Sequence, residues 1–96
     1  MKVWLVFEHD TSGGSKRLLI IFKLPEKAKA FAEDRARHMV DHARIARQSQ
    51  GFEVPKKSEP WGTWTDLDGV IFTYRWGCAL PPLSGVLSVE AQDVIE

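Results

Sequence analysis

The sequence predicts an α+β domain: an antiparallel sheet of four to five strands with one long helix packed on one face. The expected order is β-β-α-β-β-β over a single domain spanning residues 1–96. Three observations predict it. Two apolar runs, Val3 to Phe7 and Leu18 to Phe22, flank a turn at Thr11-Ser12-Gly13-Gly14-Ser15. A helical stretch opens at Pro25 and lasts to about Gln48. A second hairpin pattern then runs from Trp61 to Trp76, with turn residues between β-branched and aromatic runs.

In the first strand Val3, Leu5 and Phe7 point to one face, with Trp4 and Val6 on the other. The second sets Leu18, Ile20 and Phe22 against Leu19 and Ile21. A strand wetted on one side alternates apolar and polar residues, and neither of these does. Both faces are therefore expected to be covered, one by the helix. The cover of the other is a partner, a second copy, or the C-terminal segment folded back.

The helix carries its own punctuation. Pro25 suits the first helical position and Glu26 the first turn, while Gln50-Gly51 supplies the stop. At 100° per residue Ala28, Ala32, Ala36, Met39, Ala43 and Ala46 form one stripe, with Phe31 and Val40 at its edges. Small residues there let the helix lie close to the sheet, whose aromatic side chains then supply core volume. Glu33 with Arg37, and Arg37 with Asp41, are spaced for surface ion pairs.

Ser49 to Pro60 contains Gly51, two prolines and Lys56-Lys57. It reads as a solvated crossover or as a binding segment. In the aromatic hairpin Trp61, Thr63 and Thr65 alternate with Trp64, and Asp66-Leu67-Asp68-Gly69 turns the chain. Val70, Phe72, Tyr74 and Trp76 share a face opposite Ile71, Thr73 and Arg75. Leu80-Pro81-Pro82 breaks the sheet. Gly85 to Ala91 is then either a final strand or, capped at Ser88, a short helix.

Composition narrows the function classes. Hydrophobic residues are 44% and charged residues 27% of the 96, an ordinary globular balance. Thirteen basic residues offset thirteen acidic ones, so no overall field favours nucleic acid or an anionic membrane. The single cysteine, Cys78, excludes an intrachain disulfide framework and fits a reducing compartment. No apolar run is long enough to span a bilayer as a helix, and Met1-Lys2-Val3 leads directly into a strand instead of a signal-peptide stretch. A soluble cytoplasmic domain is expected.

Lys2-Val3-Trp4-Leu5-Val6, the strand ending in Ile21-Phe22, and Glu26-Lys27-Ala28-Lys29-Ala30-Phe31-Ala32 together resemble the opening of small α+β proteins carried by bacteriophages and prophages. The likeness covers the first third of the chain. It implies a mobile-element accessory protein that inhibits a host defence enzyme such as a CRISPR effector. It implies no catalytic residue.

Several constellations could carry chemistry. His38 and His42 are four apart on one helix face with Asp34 a turn earlier, a spacing at which two imidazoles can converge on a metal ion. The HExxH signature is absent, and a polar helix flank explains the same residues. Arg35 falls near the middle of the small-residue stripe. There it can snorkel along the sheet edge, stack on a tryptophan, pair with a carboxylate, or hold an anion beside His38 and His42. Cys78 lacks a neighbouring base and reads as a small buried hydrophobe. Asp66-x-Asp68-Gly69 lacks the later ligands of a calcium loop and is a turn. No helix follows Ser12-Gly13-Gly14-Ser15 to receive a phosphate. Four tryptophans with Phe72 and Tyr74 form either a core, a stacking platform for single-stranded nucleic acid, or a protein-binding hot spot.

The expectation is a non-enzymatic module without cofactor or metal that binds another protein or a second copy of itself. Its contact surface is expected on the sheet face away from the helix and its rim: Trp4, Trp61, Trp64, Tyr74, Arg75 and Trp76, with Lys56 and Lys57. Alanine at Trp64 or Arg75 should then weaken the complex and spare the fold. The alternatives are a metal or anion site at Asp34, Arg35, His38 and His42, and a nucleic-acid binder built on the aromatics.

Overall fold

A computed structural model describes residues 1–10, 14–51, 60–78 and 84–95. The elements follow the expected order: β1 (Lys2–His9), β2 (Lys16–Phe22), α1 (Pro25–Ser49), β3 (Trp61–Leu67), β4 (Ile71–Gly77) and β5 (Ser84–Asp93). One five-stranded sheet has the spatial order β2-β1-β5-β4-β3, antiparallel at every pairing. Two hairpins, β1–β2 and β3–β4, are thus joined by the last strand, which enters between them. The C-terminal segment is a strand and not a helix. It does not fold back over the sheet, because it completes the sheet's centre.

Local chemistry accounts for the turns. Asp68 and Gly69 both have positive φ, 55° and 67°, and the Val70 N–H donates to the Leu67 carbonyl at 3.1 Å. These are the marks of a type I′ turn, whose twist matches a hairpin. The turn is centred one residue later than the sequence pattern places it. Asp66 is the last residue but one of β3, and its Oδ1 accepts the Gly69 N–H at 2.8 Å. The helix begins at Pro25 with the Ala28 N–H donating to the Leu24 carbonyl, and ends where Gly51 turns at φ 84°. The proposed binding segment with Lys56 and Lys57, and the Leu80-Pro81-Pro82 break, lie outside the described residues.

The helix packs along one sheet face. Ala28, Ala32, Ala36 and Val40 are buried against Val6, Leu87, Val89, Tyr74 and Trp76, with Trp4, Leu19, Phe22, Phe31, Met39, Trp64 and Phe72 packed around them. The buried stripe therefore runs through Val40, which the 100° projection put at an edge, whereas Ala46 is exposed. A 25-residue helix is about 37 Å long. No residue after Val40 in it is buried, so its last two turns and more overhang the sheet, and the molecule is elongated, 54 × 25 × 20 Å.

Two expected helix pairs give way to others. Arg37 pairs with Asp34, and Arg44 with Asp41 at 3.1 Å, both at i,i+3. Glu33 instead turns toward β3 and accepts the Trp64 indole N–H at 3.0 Å. A buried-edge indole needs that acceptor more than an exposed arginine needs a second carboxylate.

Register assigns the sheet faces. Trp4, Val6 and Glu8 oppose Ala91, Val89 and Leu87; Phe72, Tyr74 and Trp76 oppose Val89, Leu87 and Gly85; Trp64 opposes Tyr74. All of these share the helix side. Among the described residues no element packs on the other side, so the expectation that both faces are covered is not met by them.

Candidate protein-binding surface

The open face is built from alternate residues of all five strands. β1 contributes Val3, Leu5, Phe7 and His9; β2 contributes Leu18 and Ile21, paired with Phe7 and Leu5. β5 adds Val86, Ser88 and Glu90, β4 adds Ile71, Thr73 and Arg75, and β3 adds Trp61, Thr63, Thr65 and Leu67. One apolar patch holds Leu5, Phe7, Leu18 and Ile21; Leu67 pairs with Ile71 beside the β3–β4 turn, and Trp61 stands apart at the other end of β3. Leu18, Ile21, Leu67 and Trp61 are exposed, Trp61 by 64%.

A polar seam runs beside the β1–β2 patch. His9 Nε2 lies 2.8 Å from Ser88 Oγ, and Ser88 Oγ donates to Glu90 Oε2 at 3.4 Å. Lys16 reaches from β2 across β1 to Glu90, 2.7 Å away, with its ammonium 4.3 Å from the centre of the Phe7 ring. The histidine and serine look like half of a hydrolytic triad, and which of them donates across the 2.8 Å contact depends on the imidazole tautomer. Ser88 is 2% exposed, so its hydroxyl is shielded from solvent.

The placement of the expected contact residues needs correction. Trp4, Trp64, Tyr74 and Trp76 are on the helix side, not on the face away from it. Tyr74 and Trp76 are buried, and Trp64 stacks on Tyr74 at 4.8 Å between ring centroids. The aromatic set Phe72, Tyr74, Trp76 was the more apolar face of β4, and the helix takes the more apolar face. Trp61 and Arg75 do lie on the open face, at neighbouring positions of β3 and β4. Both are exposed. Trp61 packs over Gly77, where an added Cβ would meet its ring at 3.3 Å. A nucleic-acid stacking platform is not assembled, since five of its six aromatics face the helix. What the sequence reading did not single out is Leu18, Ile21 and the Lys16–Glu90–Ser88–His9 seam.

The helix cluster is dispersed in a similar way. Arg35 Nε donates to Glu8 Oε2 at 2.9 Å, so of the four roles open to it, pairing with a carboxylate is realised. The Asp34 carboxylate is engaged by Arg37. His38 and His42 line a shallow groove with Arg35, Met39 and Ala43 under the overhanging helix. His9 belongs to the opposite face. Among the described residues no group of three or more His, Cys, Asp or Glu side chains is placed to hold a metal ion. A second cleft of about 420 Å³ opens at the end of the sheet, lined by Glu8, Asp10, Lys16, Arg17, Met39 and Trp76 among others. Cys78 is buried beside the core.

Burial holds the Tyr74 phenol above its ordinary range, the neighbouring Glu33 carboxylate adds to this, and Arg37 opposes it. No protein-family model, curated protein or solved structure matches the chain. Among the described residues no helix is long and apolar enough to cross a membrane.

Proposed function

We propose that this protein is a non-enzymatic cytoplasmic module that binds another protein through the helix-free face of its sheet. One observation carries the reading: one face is sealed by Ala28, Ala32, Ala36 and Val40, while the other leaves Leu18, Ile21, Leu67 and Trp61 in water. Scattered exposed apolar residues need no explanation, but several gathered on one uncovered sheet face do. Trp61 and Arg75 sit together on it, the residue types that most often dominate binding energy. Arg75 has no ion pair among the described residues, which leaves its guanidinium for a carboxylate on the partner.

A narrower form of the reading follows from the likeness of β1, β2 and the helix start to phage-borne proteins: an accessory protein that occupies a host defence complex, for instance a CRISPR effector. The test is a comparison of captured proteins. Wild-type protein and a Trp61→Ala/Arg75→Ala variant are immobilised and exposed to bacterial lysate, and their melting temperatures are matched beforehand. A protein retained by the first and lost by the second supports the reading. Identical captures from the two sink it, and a stable dimer in light scattering that the variant dissolves assigns the face to a second copy.

A further inference from the structure

The two edges of the sheet are unequal. β3, at one edge, carries Gly62, Thr63, Thr65 and Asp66 between Trp61 and Leu67, a polar strand of the kind that discourages pairing. β2, at the other, reads Leu18-Leu19-Ile20-Ile21-Phe22 without interruption, and no strand pairs with its outer side among the described residues. Apolar side chains are exposed on both sides of this edge: Leu18 and Ile21 on the open face, and Ile20 on the helix side, where the cover is incomplete.

β2 is also irregular, and its irregularity is symmetric. Ile20 opposes Val6 and Leu18 opposes Phe7, the next residue of β1, so Leu19 is one residue too many between them. Ile20 shares the helix side with Val6, and Leu19 packs against the core on that same side. Arg17 and Phe22, opposite Glu8 and Trp4, also point to the helix side. From Arg17 to Phe22 the side chains therefore read helix, open, helix, helix, open, helix, and the order is the same in either direction.

We propose that two copies of this chain pair antiparallel along β2, about a two-fold axis between Leu19 and Ile20. Leu18 then faces the partner's Ile21, Leu19 the partner's Ile20, and Arg17 the partner's Phe22, each pair on one side of the joined sheet. A shift by one residue either way sets Leu18 opposite Phe22 or Ile20, which point to the other face. A regular strand of a different protein pairs with this edge only by passing over Leu19, as β1 does, whereas a second copy meets it residue for residue. Charge agrees with that choice. No two cations are opposed between Arg17 and Phe22, Arg17 comes to lie beside an aromatic ring, and Lys16 is drawn inward across β1 onto Glu90 at 2.7 Å. The patch of Leu5, Phe7, Leu18 and Ile21 runs on into its twin across the axis. Six opposed residues a side fall short of the roughly 800 Å² per partner of a standard interface, so the dimer is a reversible one. Trp61 and Arg75 lie toward the other edge, so the pairing stands or falls independently of the binding surface proposed above.

The test is the solution mass of the full chain by light scattering over a dilution series, with far-ultraviolet dichroism to confirm that each variant is folded. Wild type should be a dimer that dissociates on dilution. Leu18→Glu and Ile21→Lys should each weaken it by roughly tenfold or more, since each sets a charge against an apolar side chain twice. Combined in one chain, the two substitutions oppose carboxylate to ammonium across the axis and should restore the dimer, now in a salt-sensitive form. Mixing the two single variants should restore it as well. Leu18→Glu/Ile20→Lys carries the same charges but puts the ammonium on the other face, and it should stay monomeric. A wild-type monomer at roughly 500 µM, single variants that dimerise like wild type, or equal behaviour of the two double variants overturns the pairing. A dimer that Trp61→Ala/Arg75→Ala dissolves overturns it too, and gives the interface to the open face.

Discussion

Arg35 Nε on the helix and Glu8 Oε2 on β1 are 2.9 Å apart, an ion pair across the boundary between helix and sheet in a stripe otherwise made of alanine and valine. The two side chains are 36% and 22% exposed, so water screens the charge and the pair is worth at most about 1 kcal/mol. The arginine stem also shields the sheet end near Met39. Arg35→Ala should therefore cost about 1–2 kcal/mol in urea denaturation and Glu8→Gln about 0.5–1 kcal/mol. The double-mutant cycle should return a coupling of about 0.5 kcal/mol or more. A coupling of zero would leave Arg35 with a packing role alone.

Glycine is required where the core aromatics cross their neighbouring strands. A Cβ at Gly85 would lie 2.7 Å from Trp76 Nε1, inside any allowed contact, and Trp76 is buried and cannot swing away. Gly85→Ala should destabilise by about 1–3 kcal/mol, as overpacked cores do, and should alter the near-ultraviolet dichroism of the tryptophans. Gly62 faces the Tyr74 ring in the same way. Gly77 is the contrast. Its Cβ would meet Trp61 at 3.3 Å, but that indole is on the surface and free to give, so Gly77→Ala should change stability by no more than about 0.5 kcal/mol.

The chain has one tyrosine, which makes the Tyr74 phenol directly observable by its absorbance near 295 nm as it ionises. Burial first, then the Glu33 carboxylate, raise its pKa above the ordinary value of 10.0, against an opposing Arg37. The native titration midpoint should lie above that of the protein in strong denaturant. Between the two midpoints the folded state holds more protons than the unfolded one, so stability falls as pH rises there. The contribution is fully present below the unfolded pKa and is lost as pH climbs through the folded one. Coincident midpoints would show that the ring is open to water. Arg37→Ala should move the native midpoint further up.

Element order was legible because it rests on local chemistry. Pro25 and Gly51 bound the helix, Asp68-Gly69 fixes the hairpin, and β1 and β2 are apolar on both faces. Which face the helix takes is a tertiary question. Tryptophan, tyrosine and arginine are enriched both in cores and in interfaces, so Trp64 and Tyr74 read equally well as either. Comparing the two faces of β4 would have decided it, since Phe72, Tyr74 and Trp76 outweigh Ile71, Thr73 and Arg75 in apolar area. The Lys16–Glu90 bridge and the His9–Ser88 bond span 74 and 79 residues of sequence. They exist only because β5 enters beside β1, and no local pattern announces that insertion.

That division of the aromatics yields a test on paired substitutions. Trp64 touches Tyr74 and donates to Glu33, whereas Trp61 is held by little more than Gly77. Trp64→Ala should cost about 2–4 kcal/mol, the loss of most of a half-buried aromatic together with its hydrogen bond. It should also strand the Glu33 carboxylate beside Tyr74. Trp61→Ala should cost less than about 1 kcal/mol, because its burial is slight. Acrylamide quenching gives the second reading. The Trp61→Ala protein should lose the most accessible, reddest part of the emission, and the three remaining indoles should resist the quencher. Equal destabilisation by the two alanines would put Trp61 in the core, and with it would go the strongest anchor of the open face.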